Sequence, residues 1–198
     1  RFDPPREELQ ARACQEFSLN PDLRGLARGY ADADDFWSRE NGRRAVAGRL
    51  PEEQFAFFAE YERRVLRGGG LEVAPETAGR IFQRLRQLKY TLAAFPDALP
   101  ALRELKGRGL TVGLISNIRR ELPGLFQELG LAQYLDFVVT SQEVGVEKPH
   151  PGIFQAALAK AGVPPAEAIH VGDQYQADVV GARAAGMRPL LLDRDSPW

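Results

Sequence analysis

The sequence predicts an α/β protein in which a helical N-terminal segment precedes a parallel β-sheet wound by crossover helices. In about the first ninety residues, apolar side chains recur at helical spacing and no run alternates convincingly with period two. After Phe95-Pro96-Asp97, short apolar runs alternate with helical segments, which is typical of βαβ units. Several of these later helices end at a glycine, including Gly130 and Gly162, as left-handed C-terminal turns favour. The predicted fold class therefore rests on hydrophobic periodicity and on helix-ending glycines.

Four helices are predicted in the N-terminal segment. The first places Leu9, Ala13 and Phe17 on one face, because these residues are four positions apart. Another begins at Pro51, with proline in the first turn and acidic residues near the positive end of the helix. The predicted helices cover about residues 4–17, 31–44, 51–67 and 75–88. No convincing strand is predicted before Thr91.

The second part of the chain contains four strand candidates. They are residues 110–116, 137–140, 169–172 and 189–192. The helices between them are recognised by their apolar positions, which are Leu99, Leu102 and Leu105; Leu122, Leu125, Phe126 and Leu129; Ile153, Phe154, Ala157 and Leu158; and Val179, Val180 and Ala184. The change of pattern divides the chain into a helical segment at residues 1–92 and an α/β core at residues 93–198.

Composition and charge restrict the classes of protein that fit. The chain has 198 residues with 26 basic and 27 acidic side chains, so its net charge of -1 gives no field that attracts nucleic acid or an anionic membrane. No apolar run approaches the roughly 20 residues of a membrane-spanning helix, and the single Cys14 excludes an internal disulfide. We therefore expect a cytoplasmic protein without nucleic-acid or membrane partners. The only methionine is Met187, so Arg1 is not expected to be the first residue of the gene product.

Polar residues follow three of the predicted strands at the point where each strand ends. Ser116 and Asn117 follow the first, Lys148 follows the second after a short loop, and Asp173 and Asp178 follow the third. In an open parallel sheet, ligands bind outside the carboxyl ends of the strands. We therefore expect a hydroxyl group, a cation and two carboxylates to converge there.

Each of these residues also has an ordinary structural explanation. Ser116 or Asn117 fits as the cap of the next helix, and Lys148 fits as a solvated residue before a proline. Asp173 and Asp178 fit as a loop acid and a helix-start acid stabilised by the helix dipole. At successive strand ends, however, the residues together favour a shared site. Two close carboxylates raise each other's pKa unless a cation lies between them, so the acid pair indicates Mg²⁺ and a phosphorylated ligand.

Three motifs make the sequence resemble the haloacid dehalogenase-like (HAD) hydrolases, in the branch with a helical cap inserted soon after the first strand. The motifs are Leu114-Ile115-Ser116-Asn117, then Glu147-Lys148-Pro149 through Phe154, and then His170-Val171-Gly172-Asp173 through Met187. The resemblance covers nearly the whole chain, and three motifs in this order with this spacing are highly specific. It implies a Rossmann-like parallel-sheet core with an inserted α-helical cap.

The resemblance also implies a role for each candidate residue. Ser116 and Asn117 match residues that bind the phosphoryl group, and Lys148 matches a catalytic lysine that steadies the nucleophile and the developing charge. Asp173 and Asp178 match carboxylates that hold Mg²⁺ directly or through water. The implied function is a Mg²⁺-dependent phosphatase that acts on a small phosphorylated metabolite through an aspartyl-phosphate intermediate.

One part of the family pattern is missing. The family's nucleophile is an aspartate in an Asp-x-Asp sequence at the end of a first, central strand, and no such strand precedes the helices. Asp193-Arg194-Asp195 has this spacing, but it follows the last predicted strand and is rejected. We expect roughly 15 further upstream residues, enough for a strand and a catalytic loop. Two alternatives stay open, namely a metal-independent 2-haloacid dehalogenase and a non-catalytic HAD-like binding protein.

The helical segment bears on substrate specificity. The glycines at positions 68–70 are interpreted as a hinge of a cap that closes over the crevice. Candidates for lining the crevice are Phe36, Trp37, Arg39, Arg43 and Arg44. The interpretation that we prefer places the aromatic residues in the core of the cap and the arginines on a solvated face. The identity of the substrate and the oligomeric state are not predicted.

Overall fold

The computed structural model describes residues 1–117 and 123–194 and forms two compact units. The first unit is Arg1–Ala93 and the second is Ala94–Trp198. Within the described ranges, no helix is both long enough and apolar enough to cross a lipid bilayer. The predicted helical position Leu122 and the last residue of the Asp-x-Asp sequence at positions 193–195 lie outside the described residues.

In the described residues, four α-helices build the first unit. They are α1 (Arg6–Gln15), α2 (Leu23–Arg43), α3 (Pro51–Gly68) and α4 (Pro75–Leu85), and a short 3-10 turn lies at Val46–Gly48. All four predicted helices are present, and both α3 and α4 begin at the predicted proline. The one large difference is that α2 begins well before the predicted start near residue 31.

α2 begins earlier than predicted, and its first turns carry two glycines, which local propensity disfavours in a helix. The Asp22 side chain caps this helix by accepting a hydrogen bond from the Gly25 N–H at 2.8 Å. Gly25 and Gly29 then face α3, and a Cβ at Gly29 would lie 2.2 Å from the Val65 carbonyl oxygen. Since no real Cβ comes that close, the two helix backbones approach each other only where glycine is present.

A two-residue antiparallel pair forms at the ends of the first unit. β1 (Phe2–Asp3) pairs with β2 (Thr91–Leu92). The expectation of no strand before Thr91 is therefore wrong. Two residues are too few to show alternation between apolar and polar side chains, so the sequence carries no usable signal for this pair.

The aromatic side chains of α2 and α3 pack together in the first unit. Trp37 contacts Phe57, Phe58 and Tyr61 with ring centroids 5.3, 5.5 and 5.8 Å away. Phe36 stacks on Phe57 at 5.1 Å. Phe36 and Trp37 therefore pack on the buried Phe57 but are themselves half-buried, and their place in the core of a cap stays a prediction.

The arginine candidates lie on the exposed side of the same unit. Arg39, Arg43 and Arg44 are all exposed. Arg43 pairs with Glu40 at 2.8 Å, and Arg44 pairs with Glu53 at 3.0 Å. Exposed ion pairs of this kind contribute little to stability, so these arginines form a solvated face, as we preferred.

A buried polar cluster lies between α1, α2 and α3. The Gln10 side-chain amide donates to Glu62 and to the Cys14 sulfur, and its oxygen accepts from the Tyr30 hydroxyl at 2.9 Å. Gln10, Glu62 and Cys14 are fully buried, and Oε2 of Glu62 has no hydrogen-bond partner among the described residues. Burial raises the pKa of Glu62 to about 8, although the hydrogen bond from Gln10 acts in the opposite direction. The carboxyl group is therefore mostly neutral at neutral pH.

The second unit alternates strands and helices. Its strands are β3 (Gly113–Ser116), β4 (Phe137–Thr140), β5 (Ile169–Gly172) and β6 (Arg188–Leu191). Its helices are α5 (Ala98–Gly107), α6 (Pro123–Glu128), α7 (Ser141–Val144), α8 (Pro151–Ala161) and α9 (Gly181–Ala184), and one turn of π-helix at Tyr175–Val180 leads into α9. All four strand candidates form strands, which confirms the predicted α/β fold class.

These four strands form two parallel pairs. β3 pairs with β4 so that Ser116 lies opposite Thr140, and β5 pairs with β6 so that Gly172 lies opposite Leu191. Among the described residues, β3 and β5 do not pair with each other, so the single sheet expected from the sequence is present as two separate pairs. The further strand that the resemblance places between β3 and β5 stays a prediction.

The core of the second unit lies against the first turns of α8. Ile153 and Phe154 are fully buried and pack in one cluster with Val139 of β4 and Ala182 of α9. These residues follow Lys148 closely in the chain. Packing of α8 therefore fixes the segment that carries Lys148 to the strands.

Candidate active site

The carboxyl ends of β3 and β5 carry most of the predicted site residues. Ser116 is the last residue of β3 and is half-buried, and Asn117 follows it directly. Gly172 is the last residue of β5, and Asp173 follows it directly. Each strand runs parallel to its partner in register, so the loops of each pair emerge at the same edge, where ligands of parallel sheets bind.

The side chain of Asn117 binds the backbone of Lys148. Its Oδ1 atom accepts a hydrogen bond from the Lys148 N–H at 2.7 Å, and its Nδ2 atom donates to the Lys148 carbonyl oxygen at 3.1 Å. The loop that carries Lys148 starts from α7, where Thr140 caps the Glu143 N–H at 3.2 Å and Gly145 ends the helix with a φ of 82°. The loops after β3 and β4 are therefore fixed to each other at Lys148.

The carboxylate of Asp178 is buried and accepts three hydrogen bonds. Its Oδ1 atom accepts from the Lys148 ammonium at 2.6 Å and lies 2.9 Å from Nε2 of His170, and its Oδ2 atom accepts from the Gln174 N–H at 3.0 Å. The exposed side-chain fractions are 3% for Asp178, 13% for Lys148 and 10% for His170. Because an ionised carboxylate only accepts hydrogen bonds, the His170 ring donates from Nε2.

The pKa of Asp178 lies well below its ordinary value. Burial raises this pKa because it withdraws water from the charged form, but the hydrogen bond from His170 and the charge and hydrogen bond of Lys148 lower it more. The Gln174 N–H adds to the lowering, and the pKa falls from 3.8 to about 2. The carboxylate is therefore ionised at neutral pH and provides a constant partner for the Lys148 ammonium.

The close approach of Asp178 to β5 depends on Gly172. A Cβ at Gly172 would lie 2.1 Å from Cγ of Asp178, which is far inside van der Waals contact. Asp178 projects from the π-helical turn Tyr175–Val180, a helix form that occurs frequently at functional sites. Any side chain at position 172 would therefore displace the carboxylate or the turn.

The two predicted metal ligands have different surroundings. Asp173 is exposed, whereas Asp178 is buried but keeps a spare lone pair on Oδ2, where only the Gln174 N–H donates among the described residues. Over residues 1–117 and 123–194, no group of three or more His, Cys, Asp or Glu side chains is placed to hold a metal ion. Mg²⁺ commonly takes one or two protein carboxylates and completes its shell with water and phosphate oxygens, so the two aspartates fit this ion chemically.

The structure connects three of the five predicted site residues directly. Asn117, Lys148 and Asp178 form one chain of hydrogen bonds. Ser116 belongs to the same segment as Asn117, and Asp173 begins the connection from β5 to Asp178. Within the described ranges, no hydrogen bond joins the Ser116 or Asp173 side chain to Lys148. The phosphate-binding, catalytic and metal-binding roles of all five residues stay predictions.

The chain matches known proteins over most of its length. The sequence pattern of haloacid dehalogenase-like hydrolases matches residues 7–186. The chain belongs to the haloacid dehalogenase-like hydrolase family. A dehalogenase solved with an intermediate complex is similar to this HAD-like hydrolase in fold, with a TM-score of 0.61, 21% identity, and coverage of 98% of this chain and 81% of that one.

Two curated relatives illustrate the range of similar sequences. The haloacid dehalogenase-like hydrolase domain-containing protein 3 of Xenopus laevis is 45% identical over 105 residues, which are 53% of this chain and 43% of that protein. A phosphoserine phosphatase of Thermus thermophilus is 37% identical over 180 residues, which are 85% of this chain and 66% of that protein. This HAD-like hydrolase chain therefore aligns with less than half the length of the first relative and with about two thirds of the second.

His170 of this HAD-like hydrolase contacts the site although the sequence analysis assigned it no role. The sequence does hold a signal for it, because residues two positions apart on a strand face the same side. His170 therefore shares a face with Gly172, the residue that makes room for Asp178. A polar side chain on the same strand face as a strand-ending glycine therefore indicates a residue that contacts the site.

Proposed function

We propose that this HAD-like hydrolase is a Mg²⁺-dependent phosphatase that hydrolyses the phosphate ester of a small metabolite. The observation that carries the proposal is the buried, ionised Asp178 paired with Lys148 beside the end of β5. Phosphoryl transfer depends mainly on positioning and charge neutralisation, which a fixed cation and nearby carboxylates supply. The similarity to a phosphoserine phosphatase supports a phosphomonoester as substrate.

The proposed reaction has two steps. A carboxylate, which we assign to an aspartate upstream in the full-length protein, attacks phosphorus while the ester oxygen of the leaving group departs. Water then hydrolyses the aspartyl-phosphate and releases inorganic phosphate. Lys148 binds the phosphoryl oxygens through N–H groups that Asp178 does not use. Ser116 donates to the same oxygens through its hydroxyl group, and Asn117 donates through an N–H other than the one that bonds the Lys148 carbonyl oxygen. Asp173 and Asp178 would hold Mg²⁺, which would supply charge neutralisation at the phosphoryl group.

Replacement of Asp173 tests the metal assignment. Asp173 is exposed, so Asp173→Asn is expected to preserve the circular-dichroism spectrum. The same change is expected to lower Mg²⁺-dependent hydrolysis of p-nitrophenyl phosphate by the full-length protein at least about a hundredfold. Glu167→Gln is the matched control, because Glu167 is exposed at the opposite end of β5 and is expected to keep the wild-type rate. A wild-type rate for Asp173→Asn would overturn the assignment.

Further assays on the full-length protein separate the alternatives. Halide release from 2-chloropropionate without added metal, together with no phosphate release from p-nitrophenyl phosphate, would indicate a 2-haloacid dehalogenase. An N-terminal sequence that lacks an apolar strand with Asp-x-Asp would indicate a non-catalytic binding protein. An intact mass equal to that of the 198-residue chain would contradict the upstream nucleophile. A panel of phosphorylated metabolites would identify the substrate, and the cytoplasmic location stays a prediction.

A further inference from the structure

We propose that His170 is a positioning residue, which fixes the orientation of the Asp178 carboxylate so that its second oxygen is held ready for Mg²⁺. This inference rests on the proposed function of the same site. His170 is not one of the residues to which the family resemblance assigned a role.

The His170 ring has a fixed orientation. It packs edge-to-face on Phe154, with ring centroids 5.1 Å apart and planes at 89°. Phe154 is fully buried in the core of the second unit, and the His170 side chain is only 10% exposed. The direction of the Nε2–H bond is therefore set by core packing and by the position of His170 in β5, independently of solvent.

The two oxygens of Asp178 have different tasks. Oδ1 receives both side-chain donors, since Nε2 of His170 lies at 2.9 Å and the Lys148 ammonium at 2.6 Å. Oδ2 receives only the Gln174 N–H among the described residues. Concentrating the two side-chain donors on one oxygen leaves the other oxygen with lone-pair capacity for a hard cation.

Lys148 cannot impose this orientation by itself. Its ammonium group is carried by a flexible four-carbon chain and follows an acceptor through many orientations. The imidazole of His170 is rigid, so it limits the rotation of the Asp178 carboxylate where the ammonium does not. Groups that orient the ligands of a metal in this way commonly change metal affinity ten- to a hundredfold when they are removed.

Two substitutions separate the hydrogen bond from the packing. His170→Phe keeps an aromatic ring against Phe154 but removes the donor, whereas His170→Gln restores an N–H donor at about the reach of Nε2. We expect His170→Phe to raise the Mg²⁺ dissociation constant at least about tenfold and His170→Gln to stay within about threefold of wild type. His150→Asn is the control, because His150 is the other histidine, is exposed, and caps α8 by accepting the Gly152 N–H at 3.1 Å, a bond that an asparagine side chain can also accept.

The measurements are Mg²⁺ titration calorimetry, kcat and KM for p-nitrophenyl phosphate, and thermal unfolding, all with the full-length protein. Weak Mg²⁺ binding in His170→Phe with recovery in His170→Gln supports the inference. Equal Mg²⁺ affinity in both variants and in wild type overturns the inference. An equal loss of Mg²⁺ affinity in both variants also overturns it, because that result would show that the His170 ring acts through its packing and not through its hydrogen bond. If wild type binds Mg²⁺ but releases no phosphate, the proposed function fails and the affinity ratios still decide the role of His170. If wild type binds no Mg²⁺, both proposals fail.

Discussion

The neutral carboxyl group of Glu62 predicts that the protein loses stability as the pH rises through the neutral range. Glu62 is fully buried between helices, and its Oε2 atom has no hydrogen-bond partner among the described residues. Glu62→Gln keeps the shape of the side chain and an oxygen that accepts from Gln10, but it removes the titration. The substitution therefore isolates the energetic effect of ionising this one group.

The magnitude follows from the difference between the folded and unfolded pKa values. The ordinary pKa is 4.5, and burial raises it to about 8 in the folded protein. Below about pH 4 both states are protonated, and above that the unfolded chain releases a proton that the folded protein keeps, so stability falls until the folded group also ionises near pH 8. With about 1.4 kcal/mol per pKa unit, wild type loses roughly 2 to 3 kcal/mol of unfolding free energy between about pH 5 and pH 7.

Urea unfolding followed by circular dichroism, from about pH 5 to pH 8, measures this effect. Glu62→Gln is expected to show a much flatter pH dependence than wild type. Cys14 and Tyr30 also face Glu62, but burial raises the pKa of Cys14 to about 11 and that of Tyr30 still higher, so both stay protonated in the folded protein over this range. Glu52→Gln, at an exposed position of α3, is the control that keeps the wild-type slope. Parallel pH profiles for wild type and Glu62→Gln would refute the reasoning.

Two glycine substitutions test the close approach of α3 to Gly29 and of the Asp178 side chain to Gly172. Gly29→Ala places a Cβ 2.2 Å from the α3 backbone, so thermal and urea unfolding should show a loss of about 3 kcal/mol. Gly107→Ala in α5 is the control, because a Cβ there meets nothing within 4 Å, and it should be neutral or stabilising by about 0.5–1 kcal/mol. Equal changes in unfolding free energy for the two variants would contradict the close contact at Gly29. Gly172→Ala should displace Asp178 and lower Mg²⁺-dependent phosphate release at least about tenfold. Gly48→Ala is the control, because a Cβ there meets nothing within 4 Å, and it is expected to keep the wild-type rate of phosphate release. Full activity of Gly172→Ala would argue against the described geometry.

Much of the fold was predictable because it depends on local patterns. The strand candidates at residues 137–140 and 169–172 coincide with β4 and β5, since short apolar runs bounded by polar or glycine residues indicate strands of a parallel sheet. The start of α2 was missed because Gly25 and Gly29 serve a contact with another helix, which no local pattern reports. The β1–β2 pair was missed because pairing between distant two-residue segments leaves no periodic signal.

The candidate site was predictable as a set of residue types at strand ends but not as a set of contacts. Lys148 and Asp178 were named together, and the structure pairs them. The use of the Asn117 side chain on the Lys148 backbone was not foreseen, because asparagine at a strand end fits capping and phosphate binding equally well. The spacing of His170 and Gly172 puts both residues on one face of β5, but the contact of His170 with Asp178 also depends on the position of the turn that carries Asp178, which the spacing does not give.

The two hydrogen bonds of Asn117 have a consequence for how the site responds to a bound molecule. They attach the main chain at Lys148 to a residue 31 positions earlier, through both a donor and an acceptor of one rigid amide. The neighbour of that amide is Ser116, so the segment that carries the Ser116 hydroxyl group is attached to the main chain at Lys148. A displacement of either main-chain segment is therefore expected to reach the other, whereas the Lys148 ammonium keeps the freedom of its own side chain.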